Sequence, residues 1–145
     1  MANQTVNFPG SKGGLTPIAA APLNDGSGSY GLLVGRYAQT VTPVDQASTA
    51  SFVDVTGSTL DALYAANVSY TILNNGAQSI NWKVLADNNS DFSAAVTVQN
   101  SATVAAAGVG TYTAAPAPYR YYKVQIQDTS GGQHGQSHLS GIAKG

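Results

Sequence analysis

Glutamate and cysteine are absent from this chain of 145 residues, methionine occurs once, and only 9% of residues are charged. Without cysteine there can be no disulfide and no thiol chemistry. Enzyme sites are usually assembled from His, Cys, Glu, Asp and Lys in unusual environments. Here those residues are few and scattered, so the composition points to a surface for packing and away from catalysis. Six Lys and Arg stand against seven Asp, giving a formal net charge of -1 and a pI of about 6.0. The basic residues are spread from Lys12 to Lys144. They form no field to hold nucleic-acid phosphates, so no nucleic-acid partner is expected. No apolar run approaches the roughly 20 residues that span a bilayer. The segment Met1–Pro9 has neither a basic n-region nor an apolar h-region. The sequence therefore predicts a soluble product made in a cytoplasm, with no membrane partner.

What is present is Ala, Ser, Thr, Gly, Asn and Val. The hydrophobic fraction of 43% is enough for a core, and the length suits one folded domain. A surface of small neutral side chains is inexpensive to desolvate and repels neighbours weakly, which suits permanent contact with other subunits.

Residues 1–29 read as an extended N-terminal arm. Pro9, Pro17 and Pro22 and five glycines disfavour helix and long strand. Phe8, Leu15, Ile18 and Leu23 are sparse apolar anchors that fit contact with another subunit. Residues 30–145 read as the folded domain. Tyr30–Tyr37 is expected to be a strand entering the core. Ser51–Thr56 alternates as a half-buried strand does, and Leu60–Ala66 fits a short helix or an irregular strand, with Ser58 and Asp61 at capping-box spacing. Val68, Tyr70 and Ile72 share one face of a strand, as do Ile80, Trp82 and Val84. The intervening Asn75-Gly76 predicts that the two runs form a hairpin. Further strands are expected over 94–99, 109–113, 121–128 and 138–143. Seven or eight short strands divided by turns predict an all-β fold, an antiparallel β-sandwich of jelly-roll-like form.

Each candidate for chemistry is weak. Gly26–Gly31 matches G-x-G-x-x-G but lacks a strand before it and a helix after it. Asp87, Asn89 and Asp91 match the opening of a calcium loop, yet Phe92 and Val98 stand where that loop needs Gly and Glu. His134 and His138, with Asp128 nearby in sequence, are too few for a closed zinc site. No nucleophile elbow accompanies the Ser, His and Asp present. No catalytic residue, metal or cofactor is therefore expected. Tyr70, Tyr122 and Trp82 occupy the inward phase of their strands. Tyr30, Tyr37, Tyr112, Tyr119 and Tyr121 are freer, and aromatic faces of this kind stack on sugar rings.

One stretch carries a resemblance. Tyr70–Gly76, Ile80–Asn88, Asp91-Phe92 and Pro118–Ile126 together resemble the β-sandwich virion proteins of tailed bacteriophages. The resemblance implies a structural protein of the particle. Head decoration (cement) proteins of this kind are typically homotrimers on the capsid exterior that clamp neighbouring major capsid proteins, often through a terminal arm. Small tail and head–tail accessory proteins fit nearly as well. No functional residue transfers, because the shared positions look like core and turn. The alternative is a carbohydrate-binding or host-attachment module on a similar sandwich.

Overall fold

The computed structural model describes residues 21–22, 30–31, 38–130 and 135–145. The chain falls into two units, Met1–Gly35 and Arg36–Gly145. In the first, β1 (Ala21–Pro22) pairs antiparallel with β2 (Tyr30–Gly31). The arm anchors Phe8, Leu15, Ile18 and Leu23 lie outside the described residues, as do residues 32–37 of the expected strand.

The second unit is a two-layer antiparallel β-sandwich. Its strands are β3 (Ala38–Ala47), β4 (Val53–Asp54), β5 (Leu60–Asp61), β6 (Asn67–Asn74), β7 (Ile80–Asp87), β8 (Val96–Val104), β9 (Val109–Ala114), β10 (Tyr121–Asp128) and β11 (Gln136–Lys144). One sheet has the order β3-β11-β6-β9. The other has the order β4-β10-β7-β8, with β5 also paired to β10. The pairings nest: β7 with β8, β6 with β9, β10 with β4 and β5, and β11 with β3. Winding one long hairpin into two layers produces this order.

Period-two alternation places the core. Val68, Tyr70 and Ile72 from β6 meet Ile80, Trp82 and Val84 from β7 and Tyr122, Val124 and Ile126 from β10, all of them buried. Burial of such side chains is the main favourable term for a fold with no disulfide. Tyr70 crosses between the layers: its hydroxyl lies 2.7 Å from the carbonyl of Ser58 and 2.9 Å from that of Tyr122. Gly110 makes room for the indole, since a Cβ there would come within 2.8 Å of Trp82 Nε1.

The expected β6–β7 hairpin is not formed. The two strands face one core, but from opposite sheets: β6 pairs with β11 and β9, whereas β7 pairs with β10 and β8. A two-residue hairpin turn requires positive φ at its central residues. Among the described residues, positive φ occurs at Gly57, Phe92 and Ala107, not at Asn75 or Gly76. Asn74 instead shapes a wider connection. Its buried side chain accepts from Gly76 N–H (3.0 Å) and donates to the carbonyls of Gln78 (2.8 Å) and Val104 (3.1 Å).

Leu60–Ala66 is not helical either. Leu60 and Asp61 pair with Tyr122 and Tyr121 of β10. Ser58 caps no helix; its hydroxyl accepts the Val124 N–H at 3.1 Å. The half-buried strand expected over 51–56 shortens to Val53–Asp54, and in the strand expected over 94–99 Val98 packs against the core while Val96 is exposed. Register shifts between Trp82 and Leu85 in the β7–β8 pairing break the alternation there.

Candidate functional site

At one end of the sandwich, the loop after β7 and the segment before β10 enclose a shallow polar groove of about 490 Å³. Asn88, Asn89, Ser90, Asp91, Ser93, Arg120 and Tyr121 line it. Asp87, the last residue of β7, organises the loop from beneath. Its buried carboxylate accepts the N–H of Asn89 at 2.9 Å and of Ala94 at 2.8 Å. The loop then turns through Phe92, whose φ of 56° is an uncommon value for a bulky residue. Lys123 Nζ sits 4.4 Å from the centre of the Phe92 ring.

Across the groove, Arg120 is held on three sides. Its backbone N–H donates to Asn88 Oδ1 at 3.2 Å. Its guanidinium reaches both carboxylate oxygens of Asp61, at 3.3 and 3.2 Å, and lies 4.8 Å from the Tyr121 ring centre. The hydrogen bond from Arg120 lowers the Asp61 carboxyl below the usual aspartate range, and the same bond raises the guanidinium. Backbone and hydroxyl bonds from Ser93 lower Asp91. The groove therefore presents a carboxylate, two amides, a guanidinium and an aromatic ring. That set can hydrogen-bond and stack a polyhydroxyl ligand.

The sequence candidates separate in space. Asp87 and Asp91 flank the same loop, but both Asp87 oxygens are occupied by backbone donors. No group of three or more His, Cys, Asp or Glu that could hold a metal ion occurs among the described residues. His134 and most of Gly26–Gly31 lie outside the described residues. His138 pairs across strands with Asp45, Nδ1 to Oδ1 at 2.7 Å.

Asp128, which the sequence singled out only as a neighbour of the two histidines, is a buried hub. Oδ1 accepts the N–H and hydroxyl of Ser130, both at 2.7 Å. Oδ2 accepts the Gly135 N–H at 3.1 Å and the Ser48 hydroxyl at 3.2 Å. It thus joins the ends of β10, β3 and β11.

The side chains of Tyr30 and Tyr37 lie outside the described residues; the remaining tyrosines named from the sequence divide as their phases predict. Tyr70, Tyr122 and Trp82 are core. Tyr119 packs edge-on against Tyr122, with ring centres 6.4 Å apart. Tyr112 is half-buried, and burial pushes its hydroxyl up to about 12. Leu63 and Tyr64, which with Leu60 fit one face of the expected short helix, are exposed instead, Tyr64 by 71%.

No family model matches this sequence, and no curated protein matches it. Three solved structures align with the chain at low identity. A Bacillus endospore appendage of the disulfide-linked pilus family aligns with a TM-score of 0.44 and 9% identity, over 75% of this chain and 85% of that one. The PBSX exported protein XepA aligns with a TM-score of 0.49 and 15% identity, over 100% of this chain and 50% of that one. PirA aligns with a TM-score of 0.39 and 16% identity, over 76% of this chain and 93% of that one.

Proposed function

We propose that this chain is a non-enzymatic structural protein of a phage particle, specifically a capsid decoration protein on the shell exterior that contacts the major capsid protein and sister subunits. The observation that carries the reading is the charge distribution. From Phe92 to Tyr119 no residue is charged, and this stretch supplies both β8 and β9, the edge strands on one side of the sandwich. A neutral, small-residue side of this kind is inexpensive to desolvate against a neighbour. The nested strand order supports the jelly-roll reading. The segments that resemble phage virion proteins supply β6, β7, β10 and the loop after β7. In this reading residues 1–29 anchor the protein on adjacent subunits through Phe8, Leu15, Ile18 and Leu23. The role requires no cofactor.

The test is to purify particles and count copies of the protein in each. Hundreds of copies, with weaker particle binding after deletion of residues 2–25, are expected. A handful of copies would place the protein in the tail or at the head–tail junction. Undiminished binding of the truncated chain would overturn the arm's role.

The groove favours a second reading, a carbohydrate-binding host-attachment module. It predicts millimolar or tighter binding of an oligosaccharide in a calorimetric titration, lost in Arg120→Ala and Tyr121→Ala. Absence of heat across a broad glycan panel would remove it.

A further inference from the structure

Among the described residues, each of the four edges of the sandwich is a potential template for another strand, and the four are treated differently. On one side of the sandwich, β3 carries Pro43 and Asp45 and is bulged against β11 between Leu139 and Gly141. Its neighbouring edge is divided into the two-residue strands β4 and β5, which bring Asp54 and Asp61. Proline, charge, bulges and short strands all discourage pairing. On the other side, β8 is interrupted by register shifts, but β9 has none of these protections. Val109-Gly110-Thr111-Tyr112-Thr113-Ala114 has no charge, no proline and no bulge along its pairing with β6. Val109 at its start is 62% exposed.

The register shows which backbone groups of β9 face outward. Asn74 N–H donates to the Gly108 carbonyl at 2.9 Å, one step beyond the Leu73–Val109 pair. On the other flank of β6, Asn75 N–H donates to the Gln136 carbonyl at 2.7 Å. Antiparallel ladders alternate between hydrogen-bonded and open pairs. Even-numbered residues of β6 therefore bond β9, through Gly110, Tyr112 and Ala114, and odd-numbered ones bond β11. The N–H and C=O groups of Val109, Thr111 and Thr113 point away from β6. Among the described residues no other strand takes them.

We propose that β9 pairs with β9 of a second copy, antiparallel about a twofold axis at Thr111, to make one continuous sheet across two protomers. The outward groups are spaced symmetrically about Thr111. Thr111 then exchanges both hydrogen bonds with Thr111 of the second copy, and Val109 exchanges both with Thr113. The side chains that meet are Thr with Thr and Val with Thr, pairs of β-branched residues that favour one another across strands. A second copy is the occupant that fits because the face is neutral throughout. Apposing it to itself sets no like charges together, whereas a charged partner would lose solvation with nothing here to pair it. The blocked β3 edge leaves no matching surface for a head-to-tail ring within this sheet, so two copies are favoured over the three implied by the resemblance. This inference goes beyond the proposed function and does not depend on it, since the pair forms in the purified protein.

Sedimentation equilibrium of the full chain tests it. The parent chain is expected to be a concentration-dependent dimer. Thr111→Lys places two ammonium groups opposite one another at the axis and is expected to raise the dimer Kd about tenfold or more. Thr111→Glu should do the same, and an equimolar mixture of the two variants should re-form a one-to-one pair. Amide exchange provides a readout without substitution: the Val109, Thr111 and Thr113 amides should exchange rapidly in dilute solution and become protected as concentration rises. A parent chain that stays monomeric, a trimer, a dimer indifferent to Thr111→Lys, or exchange at these amides independent of concentration would each overturn the proposal.

Discussion

Replacing Asp128 with Asn changes one atom's chemistry and keeps the shape, so it isolates what the carboxylate does. The native group is an acceptor at both oxygens. Oδ1 takes Ser130 N–H and hydroxyl at 2.7 Å, and Oδ2 takes Gly135 N–H and the Ser48 hydroxyl at 3.1 and 3.2 Å. Asparagine has one acceptor oxygen and one donor amide. The serine hydroxyls can rotate to accept from the amide, but a backbone N–H cannot. In either orientation one backbone donor therefore faces another donor. The shorter bonds should keep the oxygen towards Ser130, leaving Gly135 N–H opposed. A hydrogen bond to a charged group contributes about 1.5–3 kcal/mol, and removal of the buried charge returns part of its desolvation cost. The expected loss is about 2 kcal/mol, or roughly 8 °C in Tm for a domain of this size. Asp128→Ala removes the acceptor of the Ser130 N–H, leaves the Gly135 N–H only the Ser48 hydroxyl oxygen at 3.1 Å, and should lose more. Urea denaturation followed by circular dichroism measures both. If Asp128→Asn unfolds within about 0.5 kcal/mol of the parent, the carboxylate is not the acceptor hub described here and the reasoning fails.

Three further outcomes are expected. Trp82→Ala should lose about 3–5 kcal/mol, and the parent indole should resist acrylamide quenching; ready quenching would contradict the core assignment. Gly110→Ala forces a methyl within 2.9 Å of Val104 Cγ2 and 3.0 Å of Ile72 Cγ2, and should lose about 1–3 kcal/mol by overpacking; a neutral effect in thermal unfolding would mean that the layers separate more easily than the contacts imply. Asp54, where bonds from Lys123 and Gln125 outweigh the upward push of burial, and Asp61, lowered by Arg120, both lie below the usual 3.8. The folded state therefore holds these protons less tightly than the unfolded chain. Their contribution is present above about pH 4 and lost as pH falls through the lower folded values. Asp54→Asn and Asp61→Asn should flatten that acid limb in thermal melts, and unchanged acid sensitivity in the double variant would assign it to other groups.

Much of the core was legible from residue order alone. The alternation in 68–72, 80–84 and 122–126 identifies the inward face of each strand, because in a strand that face is a local property of period two. The arrangement of the core tyrosines and Trp82 follows from the same rule. β3 was not legible: Ala38–Ala47 is largely polar and contains Pro43, features that an edge strand tolerates but that read as loop. The Asp128 hub was hidden because its donors, Ser48, Ser130 and Gly135, gain meaning only once β3, β10 and β11 converge. The groove was hidden for the same reason. Its Asp87–Asp91 loop looked like a failed calcium site, and nothing local places Arg120 beside it or Asp61 within reach of Arg120.

The β6–β7 connection marks the boundary between the two kinds of information. The sequence by itself determined that both runs are strands and that Val68, Tyr70, Ile72, Ile80, Trp82 and Val84 share one core. Only the tertiary structure decided that the strands lie in opposite sheets. Side-chain alternation specifies which face is buried, but two strands that bury facing sides can either pair edge to edge or stack across the core. The choice between them rests on backbone partners far along the chain. β10 and β8 take the edges of β7, β11 and β9 take those of β6, and Asn74 holds the connection in the wide form that this division requires.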